Sequence, residues 1–135
     1  CRCGSGSDWR IMGILGIGVD VVALDRIEVL CARRPKQFAE RIFTEKEREH
    51  FLPQPTIARI AARFAVKEAV SKALGTGIGK IAWQDIETVN TASGQPQVNL
   101  YGQAAILAAE KGVKNVHCSI SHEKTVAVAM IILEG

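Results

Sequence analysis

Residues 56–80, TIARIAARFAVKEAVSKALGTGIGK, decide the fold. Thr56 is a helix N-cap residue, and no glycine or proline follows until Gly75, which can supply a left-handed stop. The alanine-rich run between them predicts one helix, apolar around most of its circumference and therefore central and largely buried. Glu68 and Lys72 are out of place there. At helical spacing Ala61, Phe64, Ala65, Glu68 and Lys72 share a stripe, so a carboxylate and an amine interrupt an apolar face. A second row, Arg59, Arg63 and Lys67, is basic and is expected to reach solvent or an anion. Two explanations of Glu68 stand at this point. One is an i,i+4 ion pair with Lys72, worth about 0.3–0.5 kcal/mol. The other is that both charges act on a ligand in a cleft.

The remainder of the chain sets bounds. At 135 residues it is one domain with a modest core, and 47% apolar with 23% charged residues is ordinary for a globular protein. A formal charge of +3 and 5% aromatic residues do not point to nucleic-acid binding. Residues 1–11, CRCGSGSDWRI, are Gly/Ser-rich and read as a leader outside the fold, leaving residues 12–135 as the domain. Without the leader only Cys31 and Cys118 remain, in no metal-like spacing, which fits a reducing compartment. No apolar run is of membrane-spanning length and no signal peptide is evident, so the expected location is the cytoplasm, with no membrane partner.

In chain order, Gly13 to Ala23 (GILGIGVDVVA) reads as a strand carrying one carboxylate, Asp20. That aspartate is either a strand residue bonded to backbone amides or a ligand for a hard cation. Leu24 to Arg34 reads as a short amphipathic helix with Arg26 and Arg33 on one face. This patch is either solvated surface or a docking site for an acidic partner. Pro35 opens another helical turn, and Thr44 with Glu47 forms a capping box whose role is helix initiation. Pro53 and Pro55 break the chain before the central helix. Ile81 to Asn90 reads as a strand, 91–96 as a turn, QVNL as a strand, and Tyr101 to Lys111 as a helix stopped by Gly112. The tail reads as a hairpin turning at Glu123 and Lys124. Its last strand, VAVAMIIL, is apolar on both faces, so both are expected to be covered. On the preceding strand His117, Ser119 and Ser121 share a face that suits phosphate oxygens or bonds within the sheet.

Two familiar motifs are excluded and a third is disfavoured. Gly16 and Gly18 lack the third glycine of a dinucleotide fingerprint, and GTGIGK lacks the Ser/Thr of a P-loop and follows its helix rather than preceding it. His122 faces away from Ser119 and Ser121, and there is no nucleophile elbow, which disfavours a serine hydrolase. The closely spaced glycines of 75–79 could still expose amides to an anion. Asp20, Glu68, Lys72 and that loop together are equipment for holding a magnesium diphosphate, because hard oxygen ligands without Cys or His clusters favour magnesium over zinc.

GIGVD at 16–20 with FAVKEAVSKALGTGIGK at 64–80 resembles the 4′-phosphopantetheinyl transferases. WQDIE and the terminal SISH hairpin resemble their small bacterial subclass. The likeness covers Met12 to about Leu133. It implies an α+β fold, a small antiparallel sheet packed against a long central helix. It also implies transfer of the phosphopantetheine arm of coenzyme A to a serine of acyl carrier protein, releasing adenosine 3′,5′-bisphosphate, in fatty acid biosynthesis. Asp20 and Glu68 match the family's magnesium ligands. Glu68 is also the candidate proton acceptor, directly or through a metal-bound water, and Lys72 contacts the diphosphate. Arg63, Gly75, Thr76, Gly77, Gly79, His117 and Ser119 would hold the nucleotide part. Arg26 and Arg33 would meet the acidic carrier protein. Small members of the family are expected to be homotrimers with sites between subunits, which would cover the last strand. A non-catalytic nucleotide-binding module and a magnesium-dependent phosphohydrolase are the rival readings.

Overall fold

A computed structural model describes residues 13–51 and 55–135, so the reading of 1–11 as a leader and the break at Pro53 lie outside the described residues. Strand β1 (Ile14–Ala23) leads into three short helices, α1 (Leu24–Arg33), α2 (Pro35–Ile42) and α3 (Glu45–Phe51), and then the long helix α4 (Ile57–Leu74). A hairpin follows, β2 (Ile86–Asn90) and β3 (Pro96–Leu100), then helix α5 (Gly102–Lys111) and a closing hairpin, β4 (Asn115–His122) and β5 (Val126–Glu134). The expected α+β architecture is what forms. β5 lies between β1 and β4 in an antiparallel sheet, and β2 and β3 form a separate two-stranded antiparallel sheet among the described residues.

α4 begins and ends as its sequence dictates. The Thr56 side chain accepts from the Arg59 amide, and Gly75 closes the helix at φ 81°. Its alanines and valines pack on the inner face of the three-stranded sheet, against Val22, Ala127, Ala129, Ile131 and Leu133. β1 comes unusually close to the helix. A Cβ on Gly18 would lie 2.9 Å from the Ala73 amide nitrogen and closer still to the Ala69 carbonyl oxygen, and one on Gly16 would collide with the Ala73 carbonyl. The two glycines that make no dinucleotide fingerprint are what let a strand press its backbone on a helix.

Three expectations need correction. The row Arg59, Arg63, Lys67 does not reach solvent as a whole: Lys67 is fully buried and Arg63 nearly so. The Lys67 ammonium donates to Glu47 Oε1 at 2.7 Å, to the Trp83 carbonyl at 3.1 Å and to the Ile86 carbonyl. Glu47 therefore does more than start a helix. Its box with Thr44 forms, but the buried carboxylate also receives Lys67 and the Thr88 amide, tying α3, α4 and β2 together. Finally, residues 81–90 are not one strand. Asp85 accepts the Ala82 amide and folds 83–85 into a single 3₁₀ turn, which presents the Trp83 and Ile86 carbonyls to Lys67.

The outer face of the sheet is apolar and open in the single chain. Ile17, Val19 and Val21 of β1 and Met130 of β5 are each between 43% and 61% exposed, so the last strand is covered on one face only. No helix among the described residues is long and apolar enough to cross a membrane.

Candidate functional site

The strand-to-helix contact sets the site. With Gly16 and Gly18 against α4, the alternation along β1 turns Asp20 inward, in register with buried Ala129. There it meets one turn of the helix. Lys72 Nζ donates to Asp20 Oδ1 at 2.9 Å and to the Val19 carbonyl at 3.2 Å. Glu68 stands beside them, and its partner is Arg26 of α1, with Nη2 to Oε1 at 3.7 Å. The intrahelical Glu68–Lys72 pair is not formed, because each charge finds an opposite one on another element.

Burial raises the Glu68 pKa above the ordinary carboxylate value and the Asp20 charge adds to it, while Arg26 and Lys72 pull the other way. Two carboxylates facing one space, each answered by a cation, suit a divalent ion. Asp20 Oδ2 sharpens the point: it is buried and has no hydrogen-bond partner among the described residues. Two protein carboxylates are also the usual protein share of a magnesium site whose other ligands are water and phosphate oxygens.

The other expected residues fall in three places. The glycine loop abuts the end of α4, but it is not a nest of free amides. The Gly75 amide donates to the Lys72 carbonyl and those of Thr76 and Gly77 to the Ser71 carbonyl, because an α-helix ending in a left-handed residue spends the following amides on its own carbonyls, and the Gly79 amide donates to the Ile81 carbonyl beyond the loop. The Thr76 hydroxyl is buried and unpartnered among the described residues. Arg63 is buried beneath the helix, with Nη2 3.3 Å from Asn90 Oδ1, its guanidinium over the Phe51 ring and its Nε without a partner among the described residues. His117 and Ser119 lie on the outer sheet face, in register with Ile132 and Met130. His117 bonds Glu134 at 2.9 Å. Within one chain these two stand on the opposite side of the sheet from Asp20.

Arg26 and Arg33 belong to a groove of about 570 Å³ whose rim also carries Arg34 and Arg41 and whose floor includes Phe38, Phe64 and Trp83. Trp83 stacks on Phe64 at 4.9 Å, and the Arg26 guanidinium lies 5.2 Å from the Phe64 ring centroid. The aromatic floor is not legible from spacing within one element; its signals in the sequence are Phe64, one turn before Glu68 on the same stripe, and Trp83 within WQDIE.

Residues 16–130 match the family model of the 4′-phosphopantetheinyl transferase superfamily. The holo-[acyl-carrier-protein] synthase of Natranaerobius thermophilus is 45% identical over 122 residues, spanning 89% of this chain and 97% of that protein. The crystal structure of the Neisseria meningitidis holo-[acyl-carrier-protein] synthase superposes with a TM-score of 0.82 at 36% identity, over 91% of this chain and all of that one. A Bacillus anthracis holo-(acyl-carrier-protein) synthase, solved in complex with CoA (3′,5′-ADP), gives a TM-score of 0.75 at 41% identity, over 92% of this chain and 98% of that one. The chain is thus an enzyme of the 4′-phosphopantetheinyl transferase superfamily and belongs to its holo-[acyl-carrier-protein] synthases.

Proposed function

We propose that the chain moves the 4′-phosphopantetheine arm of coenzyme A onto a serine of apo acyl carrier protein, with magnesium, releasing adenosine 3′,5′-bisphosphate. The observation that carries this reading is the convergence of Asp20, Glu68 and Lys72 around the unpartnered Asp20 Oδ2. Coenzyme A enters because the related Bacillus anthracis enzyme was solved with it.

Asp20 and Glu68 would hold Mg²⁺, which when bound would draw charge from the diphosphate oxygens. Lys72, half exposed and tethered among the described residues to Asp20 and the Val19 carbonyl of β1, is placed to give its ammonium to a diphosphate oxygen. The serine Oγ forms a bond to the phosphorus that carries the pantetheine arm as the bond to adenosine 3′,5′-bisphosphate breaks. Glu68, directly or through a water, would take the hydroxyl proton. Arg26 and Arg33 would meet the acidic carrier protein along their groove. Arg63, the loop 75–79, His117 and Ser119 would hold the nucleotide part. Because His117 and Asp20 occupy opposite sheet faces, one complete site would take residues from two copies. The open apolar face supports the homotrimer that the resemblance implies. As the resemblance implies, the reaction would belong to fatty acid biosynthesis, and the well-separated Cys31 and Cys118 fit a reducing compartment such as the cytoplasm.

Mass spectrometry of apo carrier protein incubated with coenzyme A tests the reading. The carrier gains the phosphopantetheine mass with magnesium and not with EDTA. Asp20→Asn and Glu68→Gln keep the fold and slow labelling by about 100-fold or more. Near-wild-type labelling by either variant removes the metal role. Release of adenosine 3′,5′-bisphosphate without carrier protein would favour a phosphohydrolase instead.

A further inference from the structure

We propose that Arg26 is a positioning residue that couples carrier-protein docking to metal binding, by pairing with Glu68 when the metal is absent and with the carrier when it is present. The inference rests on the functional reading above and deepens it.

Three observations place Arg26 between the two events. Its guanidinium reaches Glu68 at 3.7 Å, as the cation answering the second carboxylate of the metal pair, while Lys72 answers the first. It lies over the Phe64 ring, a support it can keep while its charged edge turns from one anion to another. It also belongs to the arginine-rimmed groove, where Arg33, Arg34 and Arg41 offer no other contact to Glu68 among the described residues.

A 3.7 Å pair with the arginine side chain 57% exposed is weakly held, so exchanging it costs little. A divalent ion on Glu68 competes with Arg26 for the same oxygens. The displaced guanidinium then presents its full charge to the groove. An acidic partner in the groove draws Arg26 away and leaves Glu68 open to the ion. Linkage makes the two effects equal: the factor by which the ion tightens carrier binding is the factor by which the carrier tightens ion binding.

Two titrations test this, with Mn²⁺ as the paramagnetic probe and a carrier protein whose acceptor serine is replaced by alanine, so that no turnover occurs. Electron paramagnetic resonance reads free Mn²⁺ with and without carrier, and fluorescence anisotropy reads carrier affinity with and without Mn²⁺. For the wild type both ratios should be about five- to tenfold and equal. Arg33→Gln should weaken the carrier yet keep the ratio. Arg26→Gln should bring the ratio to one and bind Mn²⁺ more tightly by itself. An unchanged ratio in Arg26→Gln would mean that the ion acts through its field alone, and a ratio of one in the wild type would mean that the two events are independent. Either overturns the coupling and leaves the transferase reading standing. Absence of Mn²⁺ binding in every condition removes the metal site and the coupling together.

Discussion

Gly18 and Ala69 meet backbone to backbone, with no room between them for a methyl group. The contact fixes how deeply β1 sits on α4 and hence how near Asp20 comes to Lys72 and Glu68. Gly18→Ala must separate strand and helix by the width of the new atom, since the obstacle is a carbonyl and not a side chain that can turn. Overpacking of this kind costs about 1–3 kcal/mol. The expected outcome is a folded protein with a lowered Tm and labelling slowed by about tenfold or more, because a small displacement at a reacting centre is expensive. Circular dichroism and the carrier-labelling rate check it. A variant with wild-type rate and Tm would show that this contact does not set the site.

The second prediction concerns Lys67 and Glu47, both fully buried, with Nζ and Oε1 2.7 Å apart. Burial lowers the Lys67 pKa, and Glu47 partly restores it. Lys67→Met leaves a carboxylate stranded in the core, and losing one partner of such a pair costs about 3–5 kcal/mol. Adding Glu47→Gln should recover part of the loss, since it removes the stranded charge, but its single amide oxygen can replace only one of the two carboxylate oxygens that accept the Thr44 amide (Oε1) and the Thr88 amide (Oε2). Urea unfolding of the two single variants and the double variant measures the coupling. Additive losses would mean that the pair does not act as a unit.

The same pair marks where the sequence stops being legible. Thr56, Gly75 and Gly112 announce helix ends through the chemistry of their own backbones, and the structure caps α4 and α5 there. Such signals are local. Asp20 and Glu68 stood out because each is a charge in an apolar setting. Lys67 carries the same oddity, yet its partner lies 20 residues away in a capping box that already had a sufficient local explanation. The Arg26–Glu68 and Lys72–Asp20 pairs are set by how α1 and β1 lie against α4, which no spacing within one element reveals. Gly16 and Gly18 were visible as glycines, but their purpose depends on what lies above them.

Cys118 supplies a pH test. Burial pushes its thiol from an ordinary 9.0 up to about 11, with Arg63 opposing part of the rise. The folded state therefore keeps a proton that the unfolded chain has lost between those values. The stability that this contributes is complete below about pH 9 and is lost as the pH rises through about 11. Relative to Cys118→Ala, wild-type unfolding free energy should be flat up to pH 9 and then fall by about 2–3 kcal/mol. Chemical unfolding of both proteins across this range reads the difference. A constant gap would mean that Cys118 titrates alike in the folded and unfolded chains.

The last prediction follows from the outer sheet face. Val19 and Met130 are paired across β1 and β5 and are 51% and 43% exposed, with Ile17 and Val21 alongside them and His117 and Ser119 on the neighbouring strand. A continuous apolar surface of this kind is covered in a stable protein, and its position beside His117 makes a second copy of the chain the fitting cover. Met130→Lys places a charge at the centre of that surface, where burial without a partner costs several kcal/mol. The variant should run as a monomer in size-exclusion chromatography with light scattering, keep its circular dichroism spectrum, and label carrier protein at least about tenfold more slowly than the wild type, since a lone chain keeps His117 on the far side of the sheet from Asp20. A wild-type protein that is monomeric at working concentration contradicts the shared site. So does a monomeric Met130→Lys with full activity, because His117 would then be dispensable to the site that holds Asp20 and Glu68.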